Sequence, residues 1–469
     1  MGNRCLSLDF LRGVSIFGMI FSAIVPSGVL PAWMYHIQNP PPSHALDISV
    51  SGIGWVDLVF PLFIFCMGVA IPLSGRTKIG HGCTVGEYIK GVFARFFMLW
   101  LFSYLYVLLN FSTADGFWPQ LFTLFGFFAL FPLYRVYRKE GKGYSFCGMN
   151  ISRTFVKRGL GVLLIFYLIV IGHFEFGEVI SVHRRGIIIF LLAFLYLFGS
   201  LIWYFTRNSI NNRVVLFVLL LLFVHVTRIL DWPAITYANP NVRWWFNMEY
   251  FYFLLVLIPA TIVGDMLCGT EMKRAWSREY FNRKNISHLL FPSLLLFVIW
   301  QCIALYLNMA YWNISLSILF CTAGFFIVRK YFRECSILFM MASVLLLYGL
   351  FFIQIEGGIS KVPCTVGYCL VTCGISMILL LFSFYLCAFC DNSFLVGIFS
   401  GAGKNPLMSY IAFGNFVMPL LHVTGAITLY NALYLSGSPL SGTIRAAVMV
   451  IFTMWIVSWA GKKNIYWKA

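Results

Sequence analysis

Charge is scarce in this chain. Asp, Glu, Lys and Arg together make up 10% of the 469 residues, whereas hydrophobic residues make up 61%. A water-soluble globular protein has about a quarter of its residues charged. Acidic residues are the scarcer sign, with 16 Asp and Glu against 33 Lys and Arg. This composition excludes a soluble enzyme and indicates an integral membrane protein with many spans and little room for a soluble domain.

The chain also lacks the patterns that indicate several other classes of site. Its 13 cysteines are scattered, mostly inside apolar runs, and predict no disulfide framework. A single CxxC, formed by Cys387 and Cys390, has no second pair or nearby histidine and predicts no metal site. The first apolar run contains Asp9 and lacks a small-x-small cleavage site, so we expect it to remain as a span.

Long apolar runs, in contrast, are abundant in the sequence. A helix needs about 20 residues to cross the ~30 Å of hydrocarbon in a bilayer. The sequence therefore predicts an all-α, polytopic integral membrane helical bundle of about 11–14 transmembrane helices, forming one multispan domain over residues 1–469. The predicted spans lie near 8–27, 53–74, 92–111, 117–134, 158–174, 186–205, 214–230, 248–268, 287–307, 313–329, 335–354, 363–387, 405–421 and 443–460.

The distribution of Lys and Arg predicts the orientation of these spans. If every run crosses and both termini are cytoplasmic, only six of the 33 basic residues fall on the outer side. Cytoplasmic loops of membrane proteins concentrate Lys and Arg in this way, so the net charge needs no nucleic acid partner. The basic loops 135–158 and 273–284 fit contact with anionic lipid or, alternatively, a vestibule that attracts a polyanionic cytosolic substrate. The six outer residues are Arg184, Arg185, Arg228, Arg243, Lys361 and Arg445.

Ionisable side chains gather around the outer loop 28–51, which contains no Lys or Arg. His36 and His44 lie in this proline-rich segment, and Asp57 lies at the start of the second span. A loop histidine can act as a general base or a nucleophile, or it can be an ordinary surface residue. Asp57 can orient an imidazole, as carboxylates do in catalytic pairs, or cap its own helix. The sequence leaves both alternatives open for each residue.

Two further segments interrupt the apolar pattern. Asp9 and Arg12 are three residues apart at the start of the first span and predict an ion pair, while Gly13 permits close packing of a neighbouring helix. Segment 401–415, GAGKNPLMSYIAFGN, predicts a broken or re-entrant helix. Such backbone survives at membrane depth only where it is buried in protein or lines a cavity. The segment is not a phosphate-binding loop, because it lacks the GxxxxGK[ST] pattern.

The combination of these segments resembles a known family. The pattern S-x-D-x-x-R-G occurs at 7–13, a histidine loop follows, and D-L-V-F-P-x-F-x-F-x-x-G occurs at 57–68. GISKVPCTVGY at 358–368 and GKNPLMSY at 403–410 add weaker matches. Together they resemble the heparan-α-glucosaminide N-acetyltransferase family of transmembrane acyltransferases, including its DUF5009-like, bacterial-type relatives.

The resemblance implies an acyltransferase that uses acetyl-CoA as a co-substrate and no metal. It would move an acetyl group from the cytosol to an amino sugar or other glycan acceptor on the outer side. The implied partners are an acyl-CoA, this acceptor and the lipid bilayer, with no nucleic acid and a possible homodimer, in a bacterial inner membrane. The implied catalytic residues are His36, with His44 as the alternative, and Asp57. Residues that would bind the cofactor or the developing oxyanion are Lys361, Asn405 and Tyr410.

Two other classes of function fit the same sequence. A multispan transporter or exporter of a glycan or small solute would use segment 401–415 as its binding site and would consume no acyl-CoA. A non-catalytic membrane partner in a glycan-processing system would bind no CoA thioester.

Overall fold

The structure is a computed structural model that carries side chains. It describes residues 5–112, 114, 116–137, 144–146, 149–177, 179–232, 235, 238–239, 242, 248–269, 278–282, 284–434 and 437–469. Parts of the two basic loops, including residues 138–143 and 273–277, lie outside the described residues, so the predicted vestibule stays a prediction.

Helices dominate the described residues, and fourteen of them are long and apolar enough to cross a membrane. The prediction of an all-α polytopic bundle is confirmed. The helices are α1 (Leu6–Ile24), α2 (Trp55–Gly80), α3 (Val85–Leu108), α4 (Phe117–Tyr134), α5 (Arg153–Phe176), α6 (Ile187–Thr206), α7 (Ile210–Ile229), α8 (Tyr250–Cys268), α9 (Ser287–Tyr306), α10 (Ala310–Tyr331), α11 (Arg333–Ile355), α12 (Val366–Cys390), α13 (Pro406–Val423) and α14 (Pro439–Lys462).

A few short elements accompany these helices. A 3₁₀ turn spans Ala32–Met34, and a separate helix spans Phe394–Lys404. Two three-residue strands, β1 (Tyr144–Phe146) and β2 (Met149–Ile151), form an antiparallel hairpin that pairs Tyr144 with Ile151. The sequence predicted only a basic loop there, because its polar, glycine-containing residues show no strand alternation.

The chain divides into two compact units. The first contains Met1–Phe93 and Phe194–Ser400, and the second contains Ala94–Ala193 and Gly401–Ala469. The expectation of one multispan domain over residues 1–469 stays a prediction.

In the first unit α2 packs against α1, α8 and α12, and α12 packs against α11. Small residues permit these close approaches. A Cβ atom added at Gly68 of α2 would lie 2.8 Å from the Leu257 carbonyl oxygen of α8, and one added at Gly13 would collide with the Phe399 backbone. The close packing predicted at Gly13 is therefore confirmed. Bilayer helices associate through such small-residue contacts because lipid is as apolar as their side chains.

In the second unit the segment 401–415 is broken, as the sequence predicts. The Phe394–Lys404 helix ends before Asn405, α13 begins at Pro406, and a π-helical turn spans Phe413–Val417. Asn415 within that turn donates its Nδ2 hydrogen to the Tyr106 carbonyl of α3, at 2.9 Å. A π turn leaves backbone groups out of the regular α-helical ladder, so this side-chain bond helps to hold the irregular turn in place.

Candidate functional site

The loop between α1 and α2 is folded by its own side chains. The Tyr35 hydroxyl donates to the Pro26 carbonyl at 2.5 Å and accepts from the Leu30 backbone amide at 3.1 Å. Beyond its 3₁₀ turn the loop has no regular structure, and the Pro41–Pro42 peptide is cis. The loop therefore holds a defined path without forming a helix, as its prolines predict.

His36 and Asp57 are in contact within the first unit, at the N-terminal end of α2. The His36 Nδ1 atom lies 2.6 Å from Asp57 Oδ1. The Asp57 side chain is buried, with 2% of its surface exposed, whereas 40% of the His36 side chain is exposed. A buried carboxylate that accepts the Nδ1 hydrogen fixes the ring orientation and leaves Nε2 with a lone pair for chemistry.

The two oxygens of Asp57 serve different roles. Oδ2 accepts the Gly54 backbone amide at 3.1 Å and so caps the start of α2, while Oδ1 binds His36. The backbone carbonyl of Asp57 also accepts the Tyr368 hydroxyl of α12 at 2.7 Å. The sequence left helix capping and imidazole orientation as alternatives, and the structure shows both contacts at once.

Lys361 completes the cluster from the loop between α11 and α12. Its Nζ lies 3.4 Å from His36 Nδ1 and 3.8 Å from Asp57 Oδ1, with 27% of the side chain exposed. Since Nδ1 has one hydrogen-bonding position, the shorter contact to Asp57 is the bond and Lys361 is a neighbouring charge. Burial lowers the pKa of Lys361 below its ordinary value, and the Asp57 carboxylate opposes part of that fall.

Gln38 joins the two loops that carry His36 and Lys361. Its buried side chain donates to the Ser360 hydroxyl at 2.9 Å and to the Val362 carbonyl at 2.6 Å, and it accepts the Val362 amide at 3.0 Å. These bonds bracket Lys361 on both sides. The sequence reasoning missed Gln38, and only its position two residues after His36 points to it.

Further contacts hold the same pair of loops together. The Gly52 amide donates to the Ile359 carbonyl at 2.8 Å, and the Ile359 amide donates to the Ser51 hydroxyl at 3.1 Å. Glu356 accepts the Val366 and Gly367 amides at the start of α12 and pairs with Arg228. A carboxylate at a helix N-terminus stabilises the free amides there, so hydrogen bonds anchor the segment that carries Lys361 on both sides.

His44 has a different environment from His36. Its Nε2 accepts the Gly28 amide at 2.9 Å, and its Nδ1 lies 3.3 Å from the Asn39 carbonyl. The ring also packs edge-on against Tyr35, with centroids 4.6 Å apart. Both ring nitrogens are engaged by the loop itself, and this geometry favours His36 over His44 as the reactive histidine.

Asn405 and Tyr410 belong to the second unit, in which Asn405 anchors the C-terminal segment. Asn405 Oδ1 accepts the Trp467 amide at 3.0 Å, and its Nδ2 donates to the Ile465 carbonyl at 3.1 Å. The Tyr410 ring packs against Tyr106 with centroids 6.1 Å apart. These contacts support a packing role for both residues, and their predicted role in cofactor binding stays a prediction.

Asp9 and Arg12 form the predicted ion pair, with Arg12 NH1 3.3 Å from Asp9 Oδ1. Arg12 NH2 also approaches the Cys66 carbonyl of α2, at 3.4 Å. The pair therefore ties the start of α1 to α2 and supports a structural role rather than a chemical one. Within the described part of the chain, no group of three or more His, Cys, Asp or Glu residues could hold a metal ion.

The family model that matches this chain covers residues 4–267 and is described as a domain of unknown function (DUF5009). Because the match covers more than half of the chain, the protein belongs to the DUF5009 family. No curated protein matches the chain. The DUF5009-like part of the predicted resemblance is confirmed, while the link to heparan-α-glucosaminide N-acetyltransferases stays a prediction.

Proposed function

We propose that this member of the DUF5009 family is a transmembrane acyltransferase. It would move an acetyl group from cytosolic acetyl-CoA to an amino sugar or other glycan acceptor on the outer side of a bacterial inner membrane. The observation that carries the proposal is the 2.6 Å contact between His36 and the buried Asp57, with Lys361 beside it. Buried carboxylates hold general-base imidazoles in this way in acyl-transfer enzymes.

In the proposed reaction His36 Nε2 is the general base. The acceptor nitrogen attacks the thioester carbonyl carbon, and Nε2 takes the proton that this nitrogen loses. The carbon–sulfur bond then breaks, and the leaving thiolate takes the proton from His36. The products are an amide and a free thiol. A general base of this kind contributes about 10²–10⁴-fold to a rate.

Asp57 and Lys361 would assist this step by charge. The Asp57 carboxylate stabilises the imidazolium that forms when His36 takes the proton. The Lys361 ammonium offers hydrogens to the oxyanion that develops on the thioester carbonyl. A route through a transient acyl-histidine uses the same residues, with Nε2 as the nucleophile.

The basic cytoplasmic loops fit the proposed co-substrate. CoA carries several phosphate charges, and a cationic surface raises the local concentration of such an anion. The transporter alternative draws support from the π-helical turn at Phe413–Val417, because π turns recur at functional sites. That alternative requires counterflow of a solute without consumption of acyl-CoA.

The experiment uses the full-length protein in proteoliposomes with radiolabelled acetyl-CoA and a panel of amino sugars. We expect label to appear in an N-acetylated sugar in proportion to protein and time. Solute counterflow with the thioester left intact would support the transporter instead. If the protein neither transfers the acetyl group nor binds acetyl-CoA saturably, the acyltransferase proposal is contradicted.

A further inference from the structure

A cavity of about 370 Å³ lies in the first unit, close to the loops that carry the His36 site. It is bounded by the end of α9, the start of α10 and the end of α11. Its wall also includes Ser51 and Ile359, whose hydrogen bond helps to hold the His36 loop to the Lys361 loop. The cavity and the His36 site thus share both supporting loops.

One buried polar side chain of this cavity has an unused hydrogen. Asn313 is 1% exposed and lines the cavity, and its Nδ2 has no hydrogen-bond partner among the described residues. A buried amide without a partner is unfavourable, so a ligand atom that accepts this hydrogen would gain binding free energy there.

The orientation of the Asn313 amide follows from its neighbours. Gln301 Nε2 donates to the Ser317 hydroxyl at 2.8 Å, and that hydroxyl donates to Asn313 Oδ1 at 3.3 Å. In this series of hydrogen bonds the oxygen of Asn313 is an acceptor, and its NH₂ group has no partner among the described residues. The opposite assignment would reverse the chain and leave the Asn313 oxygen over instead, so either assignment leaves one polar atom for a ligand.

The rest of the wall defines the chemistry of that ligand. Among the described residues no charged side chain lines the cavity, and its other side-chain amides are Asn308 and Gln354. Apolar residues such as Leu305, Ile314 and Leu350 supply much of the remaining surface. The uncharged amides and the Ser51 hydroxyl among these apolar side chains suit a neutral polyhydroxyl group, whereas they offer nothing to balance a phosphate or a carboxylate.

We propose that this cavity binds an uncharged sugar ring of the acceptor, with the Asn313 amide bonded to one of its oxygens. The identification of the ligand as the acceptor rests on the proposed function. The two loops that the cavity shares with His36 and Lys361 would carry the reacting amine of the next sugar toward the imidazole. The sugar could be part of a free glycan or the headgroup of a glycolipid.

The test measures binding of radiolabelled octyl β-glucoside, below its micelle concentration, to the full-length protein in nanodiscs without acyl-CoA. We expect saturable binding above that of empty nanodiscs, and at least about tenfold weaker binding to Asn313→Leu, which loses one buried hydrogen bond. Ser343→Ala is the matched control, since it removes a buried hydroxyl of α11 that neither lines the cavity nor takes part in the hydrogen bonds from Gln301 through Ser317 to Asn313. Its binding should equal that of the wild type.

Competitors separate the two sources of the sugar. Displacement by glucose alone would indicate a free glycan, and displacement only by alkyl glucosides would indicate a glycolipid. Displacement by octanol as effective as by the glucoside would overturn the proposal, because only the apolar wall would then be in use. If Asn313→Leu fails to fold, Ala310→Phe is the second variant. Its larger side chain would occupy the cavity, and we expect it to abolish binding of the glucoside.

The proposed function and this inference can fail separately. Binding that is lost in Asn313→Leu while the wild type transfers no acetyl group would leave the cavity assigned and the acyltransferase rejected. Acetyl transfer by Asn313→Leu with an unchanged KM for the glycan acceptor would reject the cavity and leave the acyltransferase standing.

Discussion

Asp57 illustrates how residue type and position together create the candidate site. A carboxylate in the first turn of a helix is an ordinary cap, and Oδ2 serves that purpose here. Capping turns the second oxygen toward the loop, where it meets His36. The sequence predicted that Asp57 could orient a loop imidazole, and the family resemblance favoured His36 with His44 as the alternative. The structure shows the contact between His36 and Asp57.

Lys361 supplies a test based on pH. Because burial lowers its pKa, the ammonium is lost as pH rises through a value below that of an ordinary lysine. We expect acetyl transfer by the wild type to fall over that range. Lys361→Arg keeps its charge to far higher pH, so the ratio of wild-type to variant rate should decline as pH rises.

The ratio is informative because titration of the acceptor amine affects both proteins equally and cancels. Lys361→Met, which carries no charge at any pH, should transfer slowly throughout. A ratio that stays constant through the alkaline range would contradict the role of the Lys361 ammonium.

At the scale of elements, the helices were predictable and the contacts between loops were not. Apolar runs long enough to span a bilayer identify helices without tertiary information, as α9 and α12 show. Gln38 and Asn313 gave no such signal. The partners of Gln38 lie in a distant segment, and Asn313 lines a cavity. Both properties depend on packing between helices, which hydropathy does not encode.

Gln38 carries the prediction at this scale. Gln38→Leu removes three hydrogen bonds between the two loops, each worth about 1 kcal/mol, and leaves buried loop groups without partners. We expect the thermal midpoint to fall and kcat to fall about tenfold or more, since Lys361 loses its fixed position beside His36.

Ser49→Ala is the matched control for Gln38→Leu. Among the described residues, Ser49 bonds within its own loop, to Asp47, and its loss leaves the link from Gln38 to Val362 intact. Its kcat should stay within about twofold of the wild type, because exposed hydrogen bonds contribute little. An equal loss of kcat in both variants would show that the link between loops has no special role.

At the scale of the whole molecule, a polar cluster around the buried Asp265 carboxylate joins four helices of the first unit. Asp265 of α8 binds Arg213 NH1 of α7 at 2.7 Å, Arg76 Nε of α2 at 2.5 Å and the Trp203 indole at 3.1 Å. Its partners come from three distant segments, so their convergence could not be read from local pattern.

The cluster predicts unequal costs for its members. Asp265→Asn leaves the fully buried Arg213 charge without its counter-ion and should lower the free energy of unfolding by about 3–5 kcal/mol. Arg76→Ala should cost under about 1 kcal/mol, because Arg76 is 48% exposed and Arg213 still balances Asp265. Thermal unfolding in detergent compares the two variants, and equal losses would contradict this account.

The most direct test of the central claim compares His36→Ala with His44→Ala in proteoliposomes that contain radiolabelled acetyl-CoA. If His36 is the general base, His36→Ala should lose about 10²–10⁴-fold in acetyl transfer while it still binds acetyl-CoA. His44→Ala should keep most of the activity, because its ring only folds the loop. Transfer by His36→Ala at the wild-type rate would contradict the account.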